Sequence, residues 1–279
     1  MSRIAALLVA TLLALAASDA VAGGIFCRDP ATLSAWKQSL NGGQRRRLDN
    51  PRDIHHAVLV AYEGNLASAA QGKLQSKRQL GIWWTLCQMV EGSLGDDRLH
   101  MAADYLREGA EENDRQGNTL LAIHAAMGWG LSQSHLQAFE LLDAVRSQAR
   151  IITFTTFDEF KAQASLEGLP EAEQQSAYAY NETLAELLAQ RLPHHWQEFA
   201  RRRSAEEVNI RLTVHTCPAT VEVLSTNDTA DAGKLTTVLQ RVVELVPQVG
   251  VPCRDGRGLP LVLPQDLSLW RPEKDPFAQ

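Results

Sequence analysis

The chain has 279 residues, 45% hydrophobic and 22% charged, with a formal charge of −6 at pH 7. That length allows one large or two modest domains with a sizeable core. A mildly acidic chain is a poor candidate for binding a polyanion unless it carries a local basic patch.

The first residues have the form of a secretory signal over 1–22. Arg3 supplies a positive start, Ile4 to Ala17 is an almost unbroken apolar run, and Ala20-Val21-Ala22 fits a small-x-small cleavage pattern. The run is short for a membrane span, and the rival reading is an uncleaved N-terminal anchor. Gly24-Ile25-Phe26 ahead of Cys27 lacks the Leu-Ala-Gly type of sequence that precedes a lipidated cysteine. The expectation is a periplasmic or secreted protein without stable membrane insertion once the signal is removed.

Four cysteines follow: Cys27, Cys87, Cys217 and Cys253. An even count in an oxidising compartment points to two disulfides, with three possible pairings. Cys27–Cys87 and Cys217–Cys253 are favoured because each pair stays within one proposed domain. Loops of these sizes would each contribute about 4 kcal/mol in the chain-entropy model. No Cys-x-x-Cys occurs, so neither a thioredoxin-type centre nor a zinc ribbon is supported.

Asp29-Pro30 predicts a helix start, with Leu33, Trp36, Lys37 and Leu40 at helical spacing and Asn41-Gly42-Gly43 ending the run. Asn50-Pro51 starts the next element, apolar from Ala57 towards Ala70, and Leu80 to Val90 is a dense apolar run holding Trp83 and Trp84. Gly92 to Asp97 reads as a turn. Leu99 to Glu111 carries Ala102, Ala103, Leu106 and Ala110 on one stripe, and Asn113 to Gly117 is a polar turn. Thr119 to Trp129 is a helix broken at Gly128 and Gly130, and His135 to Ala149 is the next.

This part of the chain recurs with a shift of 35 (138 minus 103): Ala103-Asp-Tyr-Leu106 falls on Ala138-Phe-Glu-Leu141, and Gly95 falls on Gly130. Ala103, Tyr105 and Leu106, then Gly109-Ala110-Glu111 and Asp114, then Ala125, Ala126 and Gly128-Trp-Gly130 form one unit. Ala138, Leu141 and Leu142 open another. In these residues, roughly 95–145, the chain resembles the Sel-like repeat family, a relative of tetratricopeptide repeats. The resemblance implies stacked helical hairpins whose usual work is protein binding. Gly117 departs from the pattern, and the copy after Val145 does not close.

Beyond it, Thr153 to Phe160 reads either as a strand or as a helix start, with a loop capped at Thr156 before a helix favoured. Leu169-Pro170 breaks the chain, and Glu171 to Leu192 is a strong amphipathic helix followed by a shorter one from Pro193. Near Glu206 the period changes. Val208, Ile210, Leu212 and Val214 alternate as in a strand, Val221 and Val223 suit a second, Lys234 to Val246 a helix, and Leu259 to Leu263 a further strand. The expected fold is α+β: a mainly helical hairpin domain, solenoid-like and short, over 23–205. A small disulfide-tied αβ domain over 206–270 follows, then a tail over 271–279.

No catalytic set stands out. His55-His56 and His194-His195 are adjacent pairs whose side chains diverge by about 100° on a helix, so a metal would need both pairs plus Glu63 or Glu198. His215 and Cys217 share a strand face, but Cys217 is assigned to a disulfide. Glu111-Glu112 and Glu206-Glu207 read as solvated faces, and Arg45-Arg46-Arg47 and Arg201-Arg202-Arg203 as helix-end cations. No Gly-x-Ser-x-Gly, Ser-x-x-Lys or His-Glu-x-x-His occurs. Aromatic residues are more often core than platform, and Trp83, Trp84, Trp129 and Tyr105 are the candidate partner contacts. The expectation is a non-enzymatic protein-binding or scaffold protein of the cell envelope, without cofactor or nucleic acid. An immunity, inhibitor or secretion-associated factor is its specific form. Its partner would be another envelope or secretion-system protein, held in the helical groove or at the edge of the small sheet. The alternative is an envelope hydrolase acting on peptidoglycan or glycan.

Overall fold

The computed structural model describes residues 25–92, 94–109, 114–146, 156–164, 166–200, 207–215, 220–226, 232–248, 251, 253–254, 257–258, 260–262 and 267–270. They are mostly helical, and the chain divides into two compact units between Gly109 and Ala110. The boundary expected at 205/206 falls inside the second unit. The expected signal (1–22) and tail (271–279) lie outside the described residues.

The first unit begins with α1 (Pro30–Ser39), entered as expected at Asp29, whose carboxylate accepts the Thr32 amide at 2.9 Å. Asn41-Gly42-Gly43 ends that helix but also starts α2 (Gly42–Asp49). Asn41 accepts the Gly43 and Gln44 amides while Gln44 Oε1 accepts the Asn41 amide at 2.9 Å, a reciprocal capping box. Helix α3 (Ile54–Ala70) starts at Asp53 rather than Asn50, and α4 (Leu74–Glu91) starts six residues before Leu80 (80 minus 74).

Helix α4 stops at Gly92, which takes the left-handed conformation (φ 66°) that costs a glycine little and closes its amide on Gln88 O at 2.9 Å. Gln88 Oε1 then accepts the Leu94 amide at 3.0 Å, fixing the turn from its far side. The short connection returns the chain as α5 (Asp96–Gly109), packed against α4 as a hairpin. Ala102, Ala103 and Leu106 of α5 are fully buried. A β-carbon on Gly81 of α4 would lie 2.9 Å from Leu106 Cγ and 3.0 Å from the Ala102 carbonyl. Glycine is therefore what lets the two backbones approach.

The second unit opens with α6 (Arg115–Met127), which begins where a polar turn was expected, and α7 (His135–Arg146). They too pack together, across a turn that starts at left-handed Gly128 (φ 72°). Helix α8 (Phe157–Gln163) has the expected Thr156 cap, completed by Glu159. Helix α9 (Glu171–Ala200) runs unbroken through Pro193, where a new helix had been expected. Tyr178 to Leu184 are buried without exception. Consecutive helical residues point about 100° apart, so this stretch is surrounded on every side. Helices α6, α7, α8 and α10 (Ala232–Val243) all contact α9.

Strand β1 (Glu207–His215) pairs antiparallel with β2 (Thr220–Thr226) on one side. On the other side it pairs with β5 (Pro260–Val262) and β6 (Leu267–Trp270), the last not foreseen. The two-residue strands β3 (Cys253–Arg254) and β4 (Arg257–Gly258) pair separately. Cys217 is outside the described residues, and with it the proposed Cys217–Cys253 bridge. Among the described residues no helix is long and apolar enough to cross a membrane.

Two glycines in the first unit carry opposite expectations. Gly81→Ala forces α4 and α5 apart and should destabilise by about 1–3 kcal/mol, as overpacking does. Gly64 of α3 has nothing within 4 Å of its missing β-carbon. Gly64→Ala should therefore stabilise by about 0.5–1 kcal/mol through helix propensity. Urea midpoints of the two variants, moving in opposite directions from wild type, are the check.

Candidate functional site

The first unit gathers its aromatic residues around the disulfide. Cys27 bonds to Cys87 as expected, with the two Cα atoms 5.4 Å apart. That bond ties Ile25–Arg28, which precedes the first helix, onto α3 and α4. Phe26 is buried and stacks on Trp83 at 4.3 Å between ring centroids; it meets Tyr62 edge-on at 5.7 Å. The Tyr62 hydroxyl donates to the Arg28 carbonyl and accepts from Trp84 Nε1–H at 3.0 Å. Burial raises the Tyr62 phenol above its ordinary range, against the opposing effect of the Trp84 bond, so it stays a donor.

The cap so formed is closely balanced. Burying Ile25 and Phe26 contributes about 3–6 kcal/mol, and ordering the backbone of four residues costs about 4–8 kcal/mol. Arg28 Nε is buried without a hydrogen bond, which adds to the cost. The Phe26 ring contacts, the Tyr62 bond to the Arg28 carbonyl and the covalent bond stand on the favourable side beside the burial.

Outward from the cap, the hairpin carries a ladder of rings and cations. The Arg98 guanidinium lies 4.5 Å over the Trp84 ring, Trp84 stacks with Tyr105 at 5.6 Å, and Lys77 Nζ stands 5.6 Å from the Tyr105 centroid. Lys77 also pairs with Glu108, which raises its ammonium pKa first through their hydrogen bond. Trp84 is buried, whereas Lys77, Arg98 and Tyr105 are half-exposed and Met101, one turn along the same face of α5, is exposed. The result is a mixed cationic and aromatic strip, of the residue kinds that anchor protein interfaces.

The structure redistributes the candidate contacts. Trp83 and Trp84 are core residues, 4% and 2% exposed, because their faces of α4 turn towards Phe26, Tyr62 and α5. Tyr105 alone of that group reaches the surface. Trp129 belongs to the second unit and is buried beside His124. Arg98 and Lys77 escaped sequence reading, although Lys77, Gly81 and Trp84 (i, i+4, i+7) and Arg98 and Tyr105 (i, i+7) each mark one stripe of a helix.

The β2 edge is less open than expected. Helix α10 packs on β2, and the Gln240 side chain accepts the Val221 amide at 3.1 Å. His55 turns to Asp53 at 2.9 Å and His56 to the Leu48 carbonyl, so both fasten the entry to α3; Glu63 pairs with Lys37. Arg45 donates to the Gln38 and Leu40 carbonyls at 2.6 and 3.0 Å, filling the end of α1 as a helix-end cation should. The side chains of His194 and His195, and residues Glu111, Glu112, Glu206 and 201–203, lie outside the described residues.

Among the described residues, one cluster has metal-ligand spacing. Sγ of Cys27 and Cys87 and a carboxylate oxygen of Glu91 lie within 4.8 Å of one another. The sulfurs are bonded to each other and offer no thiolate, so the observation bears on the disulfide instead. On α9, Glu182 and Glu186 stand one turn apart, and burial raises the Glu186 carboxyl despite the Gln190 amide beside it.

Comparison with protein-family models, curated proteins and solved structures finds no match to this chain.

A buried histidine gives the second unit an expected sensitivity to acid. His124 is fully buried in α6; its Nδ1 donates to the Trp129 carbonyl at 2.6 Å, and the Trp129 amide returns to His124 O at 3.0 Å. Burial lowers its pKa to about 4 from an ordinary 6.5, with the bond to Trp129 opposing. Between those values the unfolded imidazole is protonated and the folded one is not. Stability is therefore fully present above pH 6.5 and falls as pH drops towards 4, by about 3 kcal/mol. His135, also buried, shifts the same way, first by burial. His124→Asn keeps a donor for the carbonyl but cannot titrate. Urea titrations at pH 7, 5.5 and 4 should show a shallower acid loss in the variant than in wild type.

Proposed function

We propose that the chain is an exported envelope protein that binds another envelope or secretion-system protein without catalysing a reaction. The strip of half-exposed Arg98 and Tyr105 with exposed Met101 between them, on the α4–α5 hairpin, is its docking face. The observation that carries this reading is the cation–aromatic ladder, which places charged and aromatic groups together on a rigid helical pair. The Cys27–Cys87 bond supports the compartment, since such bonds persist where the environment is oxidising. With the apolar run at Ile4 to Ala17, it favours a periplasmic or secreted location.

The likeness to Sel-like repeats stays part of this proposal on the sequence recurrence, although the unit read from Ala103 to Gly130 spans the boundary between Gly109 and Ala110. The shift of 35 carries much of α5 onto α7, each the second helix of a packed pair that begins its turn at a left-handed glycine. An α+β organisation, with a stapled αβ portion from 206 to 270, belongs to the same reading, as does an immunity or inhibitor role.

The test compares wild type with Arg98→Glu and Tyr105→Ala in affinity purification from envelope extract, with each variant's fold checked by circular dichroism. The expected outcome is one stoichiometric protein partner on wild type, lost by at least tenfold on either variant. Recovery of the partner undiminished by both variants would remove the ladder from the interface. Turnover of a peptidoglycan or glycan fragment with no partner recovered would establish the hydrolase instead.

A further inference from the structure

We propose that Cys27–Cys87 is a redox latch: its reduction frees the Ile25–Arg28 cap and uncovers Tyr62 and Trp83 while the α4–α5 hairpin stays folded. The proposal rests on the reading of the ladder as the working face, because the cap and the ladder are joined through shared groups.

Three observations carry it. The cap precedes the first helix, and among the described residues its only backbone–backbone bond is the Arg28 amide to the Ile25 carbonyl at 3.4 Å, which is long. Its apolar burial and its ordering cost are of the same size, which leaves the covalent bond a large share of what holds it beside the Tyr62 bond and the Phe26 ring contacts. The hairpin, by contrast, is held by the Gly81 contact, the Gly92 turn and the Lys77–Glu108 pair, none of which involves the disulfide.

The chemistry has a defined direction. Cys87 is fully buried, and Cys27 is half-exposed, so an incoming thiolate reaches the Cys27 sulfur. A dithiol reductant forms a mixed disulfide there, and Cys87 leaves as a thiolate that takes up a proton. The second reductant thiol then attacks the mixed disulfide and releases Cys27 as a thiol. Two electrons pass to the protein sulfurs, and the reductant ends as a disulfide. The Glu91 carboxylate, within 4.8 Å of both sulfurs, opposes negative charge on either and so favours the closed bond.

Opening propagates along named bonds. When Arg28 leaves, the Tyr62 hydroxyl loses its acceptor while still holding Trp84 Nε1–H, and Trp84 is the ring that lies under Arg98 and against Tyr105. The latch thus acts on the strip from beneath.

Hydrogen–deuterium exchange on the purified chain, oxidised and then reduced with dithiothreitol, tests this without any partner. Its result is therefore independent of whether docking occurs. Reduction should accelerate exchange of the Arg28 amide, which is bonded to the Ile25 carbonyl, at least tenfold, while amides of α5 (Asp96–Gly109) stay within threefold. A Cys27→Ser/Cys87→Ser chain should show the reduced pattern without reductant. Unchanged exchange at the Arg28 amide would mean that the cap is held without the bond and would overturn the latch. Joint loss of protection in α5, or failure of the double variant to fold, would make the bond a global staple and overturn it equally.

Discussion

The backbone contact at Gly81 sets the geometry on which the first unit depends. With no β-carbon there, α5 lies close enough for Ala102 and Leu106 to rest on the α4 backbone. Small residues at a helix crossing shorten the interaxial distance. The consequence reaches beyond packing, because the same approach brings Trp84 of one helix against Tyr105 of the other. A hairpin held further apart would leave Trp84 partly wet, and Arg98 would face a looser ring with more water around it. Cation–π attraction strengthens as the pair is desolvated, so the strength of the ladder follows from a missing side chain.

The second unit solves a different problem. Helix α9 is surrounded, yet it buries Asn181, Glu182 and Thr183 in succession. Buried polar groups are costly unless satisfied, and a carboxylate more so. The Asn181 amide reaches Glu182 Oε1 at 3.3 Å, a contact near the long limit. Around the same helix, His135 donates Nε2–H to the Pro247 carbonyl at 2.7 Å and presents its ring to Tyr180, whose hydroxyl meets Gln248. These bonds tie the start of α7 and the chain beyond α10 to α9. Directional bonds of this kind fix which neighbour sits where around a helix that apolar burial alone would leave free to rotate.

Helices and their ends were legible wherever the signal was local. Thr156 with Glu159 and Asp29 before Pro30 are caps that need nothing but adjacent residues, and the structure has both. Asn41 was legible as an end but not as a beginning, since the Gly-Gly that follows disguises a capping box completed by Gln44. Pro193 misled in the opposite sense. The loss of one amide bond commonly marks a break, but Pro193 falls late in a helix already built over Glu171 to Leu192, and the helix runs on through it. The tryptophans show the same limit: core was the commoner expectation for their type, Trp83 and Trp84 also stood as candidate partner contacts, and only the neighbours of α4 place both inward. The disulfide was favoured from domain bookkeeping, although the first unit now places Cys27 and Cys87 together for a physical reason, the stacking of Phe26 on Trp83.

That stacking changes what the disulfide means. A bond joining two elements already locked by packing mainly lowers the entropy of the unfolded chain. Here one partner is a short segment whose apolar gain and ordering cost are of the same size, so the bond acts on the folded state as well, by helping to hold the segment in place. The segment in turn supplies the acceptor for Tyr62, which anchors Trp84 at the base of the ladder. Covalent bond, cap, hydroxyl, indole and guanidinium are consecutive contacts. Each link is short-range, and the first is one that thiol–disulfide exchange can open. In the proposed latch, a change at Cys27 therefore reaches Arg98 through contacts alone.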